Sequence, residues 1–540
     1  MTRRPHVAVI GAGFAGLRCA DILIQNGAQV TIFEARDRVG GRVHQSMVGD
    51  HLVDMGPNWI HGTGTNPFVN IAEATGTTLE DFEGAQAIFS PAGELLDEQL
   101  TTKISEFLWS TIEEAFKYSN SYKDSIPADK SLLDFIHERI EGTEFSAEEK
   151  TLCIESCRLW GAYVGDPIER QSLKFFCLEE CIDGNNYFVA STYKEILKHV
   201  SKTALEHADI RYNQPIVKIE SKPIIQGTNT SREITLTTAS GESQTSDEVV
   251  VTCPLGWLKR NKSAFIPELP PRLSRAIDSI SYGRLEKIYV TFPRAWWQSD
   301  NANLVAIPIS VDTPKAEKAT ATHGLTFAQF LDPTYTTHPE HILWNQECLS
   351  MAALPGNTAH STLLFYTYGP CATHIVEQLT SLPQAQEDPS SPSYQSASHT
   401  LLKAILEPFY SRLHAYSASS PDCQPLAFTA TTWQADPYAG NGSYCNFQVG
   451  LEEGDRDIEV LRAGMGLDRG VWFAGEHTAP FVALGTTTGA FWSGERAAGQ
   501  VCALYSLGRV GMGVERDDSL PSASVSGGSG GSGGSVGGSD

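Results

Sequence analysis

The 540-residue sequence carries 40 Lys and Arg against 64 Asp and Glu, a formal net charge of -24 at neutral pH. That balance argues against nucleic acid as a partner, because neutralising phosphates needs a basic surface, and it favours the approach of cationic small molecules. No stretch reaches the roughly twenty apolar residues of a spanning helix, so no membrane partner is expected.

A strand-like run, His6 to Ile10, opens the chain, followed by Gly11, Gly13 and Gly16, a helix-like segment, a second strand from Gln29 to Phe33, and Glu34. This order predicts a dinucleotide-binding βαβ unit. Gly11 permits the tight turn, Gly13 lets a pyrophosphate approach bare backbone, Gly16 lets helix and strand pack closely, and Glu34 can accept ribose hydroxyls. The strand begins after only five residues, which leaves no room for a signal peptide. Together with eleven cysteines in no regular framework and the lack of a C-terminal Ser-Lys-Leu, this predicts an intracellular, cytoplasmic protein with reduced thiols. On the same ground the sequons at Asn229, Asn261 and Asn441 are read as unused.

From about Thr101 to His207 the texture is helical. Cys153 and Cys157, like Cys177 and Cys181, stand four apart on the face of an expected helix, a spacing wider than common zinc knuckles, so packing rather than metal binding is expected. Apolar runs recur at Glu248 to Thr252 and Val471 to Ala474, both suited to buried parallel strands. The region from Ser281 to Trp433 is strand-rich, with a polar loop expected from Pro383 to Ser398. From about Asp517 the chain turns to Ser and Gly, a flexible-coil composition. The fold class expected is α/β. A Rossmann-like nucleotide-binding domain built from residues 1–95, 208–280 and 434–510 is interrupted by an α+β substrate domain of 96–207 and 281–433, with 511–540 a flexible tail.

Five further segments narrow the chemistry. Ala35-Arg36-Asp37-Arg38-Val39-Gly40-Gly41-Arg42 follows the second strand, then Met55-Gly56-Pro57-Asn58-Trp59-Ile60-His61-Gly62. Tyr282-Gly283-Arg284-Leu285-Glu286-Lys287 leads a strand with Ile288, Val290 and Phe292 on one face and Lys287 opposite. Near the other end stand Asp436 to Tyr444, and Gly475-Glu476 followed by Thr486-Thr487-Thr488-Gly489, where a helix should begin and offer its amides to an anionic guest. Together these segments resemble the flavin-containing amine oxidase family. The resemblance implies FAD as cofactor. Its contacts would be Gly11, Gly13, Gly16, Glu34, Ala35, Arg36, Gly41 and Arg42 at the pyrophosphate end, with Ile216, Gly56, Pro57, Asn58, Trp59, Trp433, Gly475, Glu476, Thr486, Thr487 and Thr488 completing the set. It also implies that Lys287 holds a water near flavin N5, that Tyr444 forms an aromatic wall against the amine, and that His61 sits at the substrate mouth. No metal is expected.

Two departures from monoamine oxidases matter. Ser443 stands where they carry the cysteine that bonds the flavin, so FAD is expected to be noncovalent, although Cys445 is only two residues away. Thr486 takes the place of their second tyrosine. The pattern is nearer to polyamine oxidases and to lysine-specific histone demethylases, and the chain lacks the helical module and coiled-coil insertion of the latter. The expectation is therefore oxidation of a spermine- or spermidine-type amine with O2 as acceptor, yielding an aldehyde, a shorter amine and hydrogen peroxide. Trp160 to Pro167 and the acidic Glu179-Glu180 are candidates to shape the cavity. The rivals are an oxidase of another amine, amino acid or specialised metabolite, and an FAD-binding scaffold without turnover. An amino-acid oxidase would need a cavity arginine for the carboxylate, and none announces itself.

Overall fold

Strand His6–Ile10 is apolar at most of its positions, as a strand covered on both faces should be. In the computed structural model, which describes residues 4–82, 84–222, 233–298, 305–307, 324–385 and 391–507, it lies at the centre of a five-stranded sheet. The order is Val471–Phe473, Glu248–Val251, His6–Ile10, Gln29–Phe33, Asp209–Arg211, and every neighbouring pair is parallel. The three apolar runs separated in sequence are thus adjacent strands. Val7 and Val9 pack with helices Phe14–Gln25 and Thr487–Leu504 on one face, while Ala8 and Ile10 join the apolar cluster on the other. First and last helices touch at backbone distance: a Cβ at Gly494 would stand 2.2 Å from the Ala15 carbonyl oxygen.

A second sheet of seven strands runs Val305–Ile307, Gly84–Phe89, Leu325–Phe330, Gln346–Ser350, Thr362–Tyr368, Leu285–Thr291, Ala427–Ala430. Period-two alternation divides its side chains. Ile288, Val290 and Phe292 pack with Leu402, Leu406 and Phe409 of helix Pro392–Tyr410. Tyr289, Leu364 and Tyr366 face the layer made by helices Glu98–Tyr122, Leu132–Glu141 and Ala147–Arg158. The last two begin with capping boxes at Ser131 and Ser146, which satisfy backbone donors at both starts.

Several expectations need correction. Strand Gly84–Phe89 pairs in the seven-stranded sheet, and helix Lys194–His207 packs on the nucleotide side, where Ile196, Val200 and Ala204 join Leu17 and Val9. These contacts run across the limits expected at residues 95 and 207. The loop expected from Pro383 to Ser398 gives way at Pro392 to a helix capped by Ser391, whose hydroxyl accepts the Tyr394 N–H. Cys153 and Cys157 do share a buried helix face, but Cys177 lies in a single 3-10 turn that ends before Cys181. The Ser/Gly tail and Asn229 lie outside the described residues. Among the described residues no helix is long and apolar enough to cross a membrane.

Candidate active site

The carboxyl ends of the parallel strands gather the glycine loop. Gly11 has φ +106°, and its N–H donates to Phe33 O at 2.8 Å. A Cβ at Gly16 would meet the Gly11 carbonyl oxygen at 2.0 Å, so helix and turn depend on a bare backbone there. Gly13 differs: a Cβ would find nothing nearer than Gly40 O at 4.0 Å. Its α-carbon therefore borders space that a side chain would fill. Gly13 bridges Gly40 in parallel fashion, and Gly41 backs onto Gly13. Glu34, 6% exposed, accepts the Ala12 N–H at 2.7 Å and the Arg36 N–H at 2.9 Å, and each carboxylate oxygen retains a lone pair for a hydroxyl. Ala35, half-buried, separates them. Open backbone at Gly13 beside a fixed carboxylate fits the pyrophosphate and ribose of a dinucleotide. Ile216 contributes less than its sequence neighbourhood suggested, since its side chain is 4% exposed and packs into the apolar cluster below the sheet.

Arginines tie this loop to the C-terminal segments. Arg36 pairs with Asp436 at 2.6 Å. Arg42 donates from one nitrogen to Glu476 Oε1 at 3.0 Å, to Ser443 O at 2.5 Å and to the Tyr282 hydroxyl at 3.1 Å. Burial, the largest single influence, pushes the Glu476 carboxyl up, but Arg42, His477 and Cys445 together hold the group below its ordinary range. Gly475, at φ +134°, donates its N–H to Ser493 Oγ at 2.8 Å. Thr486 caps the last helix, its hydroxyl accepting the Gly489 N–H at 2.9 Å. Thr487 stands 3.4 Å from the Tyr193 hydroxyl, and Thr488 donates to Asn66 Oδ1 at 3.0 Å.

Lys287 occupies the centre. It is 5% exposed and donates to Gly56 O and Asn58 Oδ1, so the strand bearing it is joined directly to the segment Gly56 to Trp59, Pro57 lying between the two acceptors. Asn58 Oδ1 also accepts from the Tyr366 hydroxyl at 2.9 Å, and Trp59 Nε1 donates to that hydroxyl at 3.3 Å. Burial holds the Lys287 ammonium below the usual lysine range, with Asp54 acting in the opposite sense, and burial pushes Asp54 up. Next to Lys287, Glu286 is 2% exposed and organises the Trp433 turn. It accepts the N–H groups of Trp433 at 3.0 Å and Gln434 at 2.8 Å and the Thr431 hydroxyl at 2.5 Å. Trp433 then donates through Nε1 to Met55 O at 3.2 Å. Burial raises the Glu286 carboxyl to about 7.

Tyr444 is half-buried and donates to Tyr163 O at 2.6 Å. Ser443 Oγ accepts the Leu285 N–H at 3.2 Å, and Cys445, 1% exposed, has its thiol pushed well up by burial. His61 stands apart from this group, its Nδ1 3.2 Å from Asn186 Oδ1, and burial holds its imidazole below the ordinary range. Glu179 is tied to the Phe447 N–H at 3.2 Å and Gln171 at 3.1 Å, which makes it a structural acceptor. Sequence reading missed Glu286, Tyr366, Asp54 and Tyr193. The only local signal was the acidic residue beside Lys287; the others are joined by strand register and tertiary contact.

The model of the family described as flavin containing amine oxidoreductase matches residues 14–381 and 397–502. The chain belongs to this family. Flavin, as FAD, is accordingly its cofactor, in agreement with the open glycine loop. Among relatives, the chain is 30% identical over 314 residues to probable polyamine oxidase 4 of Arabidopsis thaliana, covering 54% of this chain and 59% of that protein. It is 26% identical over 508 residues to the protein FLOWERING LOCUS D of the same plant, covering 92% of this chain and 55% of that one. The chain thus spans about three fifths or less of the length of these curated relatives. Of solved structures, a putrescine oxidase double mutant redesigned in cofactor binding shares the fold, with a TM-score of 0.63, 17% identity and coverage of 93% of this chain and 100% of the other.

Proposed function

We propose that this flavin amine oxidoreductase is an oxidase of small cationic amines, most akin to polyamine oxidases with substrates of the spermine or spermidine type. The observation that carries the reading is Lys287, a buried lysine anchored on Gly56 and Asn58 in the segment that the resemblance sets beside the flavin. When bound, FAD supplies hydride acceptance from an amine C–H bond and reoxidation by O2 to hydrogen peroxide, and water releases the aldehyde.

The chain's own residues orient, desolvate and hold protons. Gly11, Gly13, Gly16, Glu34, Ala35, Arg36, Gly41 and Arg42 would hold the nucleotide end, with Gly475, Glu476 and the helix start at Thr486, Thr487 and Thr488 on the other side. Gly56, Pro57, Asn58, Trp59 and Trp433 would line the ring. Lys287, with a depressed pKa, can hold a water or pass a proton near neutral pH. Tyr444 and Tyr366 give the amine an apolar aromatic surface that favours its neutral form. The buried Cys445 thiol and the Ser443 hydroxyl support noncovalent attachment. The same reading divides the chain into a flavin-binding part around the parallel sheet and a substrate part around the seven-stranded sheet.

A panel of amines tests this. The purified protein should be yellow, bleach anaerobically with spermine or spermidine, and generate peroxide in air. A flavin that no amine bleaches would favour a scaffold, and bleaching only by other amines would favour the rival oxidase.

A further inference from the structure

Asp54 ends strand His51–Asp54, the second arm of a hairpin with Gln45–Val48, and is 2% exposed. A buried carboxylate is costly unless hydrogen bonds or a cation compensate it. The Tyr193 N–H reaches both of its oxygens, at 2.9 and 3.2 Å, and Gln45 Nε2 donates to Oδ1 at 2.6 Å. The cation that acts on it is Lys287.

Short joins fix these two residues relative to each other. From Asp54 the chain runs through Met55 to Gly56, whose carbonyl accepts from Lys287, and on to Asn58, whose Oδ1 accepts from it too. Tyr289, two places beyond Lys287 on the same strand face, donates to the Asp54 carbonyl at 2.7 Å and accepts from Asn58 Nδ2 at 3.3 Å. Tyr193 closes the frame from behind, its hydroxyl donating to Trp59 O at 2.7 Å.

The other ionisable groups around Lys287 are neutral or turned elsewhere. Burial pushes the hydroxyls of Tyr193, Tyr289 and Tyr366 well up, so they keep their protons. The Tyr366 ring centre stands 5.6 Å from Lys287 Nζ. Glu286 faces the opposite side of the strand and is held by Thr431, Trp433 and Gln434, while Glu347 lies one strand beyond Tyr366. Burial disfavours charge on both Asp54 and Lys287, and each favours charge on the other.

Gly56 O and Asn58 Oδ1 engage two hydrogens of Lys287 in either protonation state. The third position carries a hydrogen in the ammonium and a lone pair in the amine. We propose that Asp54 is a positioning residue for the flavin reaction, its buried charge keeping Lys287 an ammonium so that this third position donates. The proposal rests on the placement of Lys287 beside the flavin given above.

The test observes the lysine itself. In protein isotope-labelled at the lysine ε-carbons, the Lys287 NMR signal is the one missing from Lys287→Met. Followed against pH in FAD-free and FAD-loaded protein, it should titrate about one to two pH units lower in Asp54→Asn, which keeps the shape and an oxygen for the Tyr193 N–H. Gln45→Leu removes a donor that favours the Asp54 charge, so it should lower the same titration by about half a pH unit, and it carries the test if Asp54→Asn fails to fold. In FAD-loaded protein reduced with dithionite, the Lys287-dependent limb of the flavin reoxidation profile should move with it, a shift that a merely structural Asp54 would not cause. A Lys287 signal that titrates at the same pH in the wild type and both variants overturns the proposal. A moved titration with an unmoved reoxidation limb would instead overturn the placement of Lys287 beside the flavin.

Discussion

Arg42 and Glu476, 434 positions apart in sequence, meet at 3.0 Å with Glu476 only 4% exposed. Removing one partner leaves the other charge buried without compensation. Glu476→Gln should therefore lower stability by about 3 kcal/mol, read as a fall in denaturation midpoint, and weaken FAD retention. A variant as stable as the wild type and as yellow after dialysis would show that the pair is dispensable.

Gly16 and Gly13 should respond oppositely to the same change. Gly16→Ala drives a methyl into the Gly11 carbonyl, and the FAD-free protein should lose about 1–3 kcal/mol. Gly13→Ala meets no protein atom closer than 4.0 Å, so the FAD-free protein should melt normally while its FAD affinity falls about tenfold or more. Thermal melts of the FAD-free variants with flavin titrations separate the two outcomes.

Replacing Lys287 by Met retains bulk in the strand but removes the donor to Gly56 and Asn58. Stopped-flow measurement should show flavin reoxidation by O2 slowed about a hundredfold, with a smaller effect on anaerobic reduction by amine. An unchanged reoxidation rate would remove Lys287 from that step.

Glu286 makes stability depend on pH. Its folded-state carboxyl is raised to about 7 from an ordinary value of 4.5, so the folded protein binds more protons than the unfolded chain between these values. Stability from this group is full below about pH 4.5 and is lost as pH rises toward 7, on the order of 1–3 kcal/mol. Glu286→Gln should flatten that part of the profile, and melting curves at pH 5 and pH 7 measure the difference. Parallel profiles for variant and wild type would assign the slope to other groups.

The nucleotide unit was legible because its signal is local: strand, three glycines and Glu34 fall within 29 residues of one another, and each glycine performs a different geometric task. The opposite facing of Lys287 and Ile288 followed from period-two alternation alone. Glu347 and Tyr366 were invisible in sequence, since only the register of strands Leu285–Thr291, Thr362–Tyr368 and Gln346–Ser350 aligns them with Lys287. Helix Pro392–Tyr410 was hidden by a Pro- and Ser-rich start that read as loop, although Ser391 with Pro392 is a helix-start signal. Asp54 and Tyr193 meet across 139 positions, and no local pattern marks that contact.

Helix Phe14–Gln25 is made early in synthesis, yet the surface it covers includes helix Thr487–Leu504, among the last described elements to be made. During translation its Ala15 edge must wait, solvent-facing or shielded by a chaperone, until nearly five hundred residues have followed. Completion of the dinucleotide fold is thereby deferred to the end of synthesis, and cofactor capture becomes a late event in the life of each new molecule.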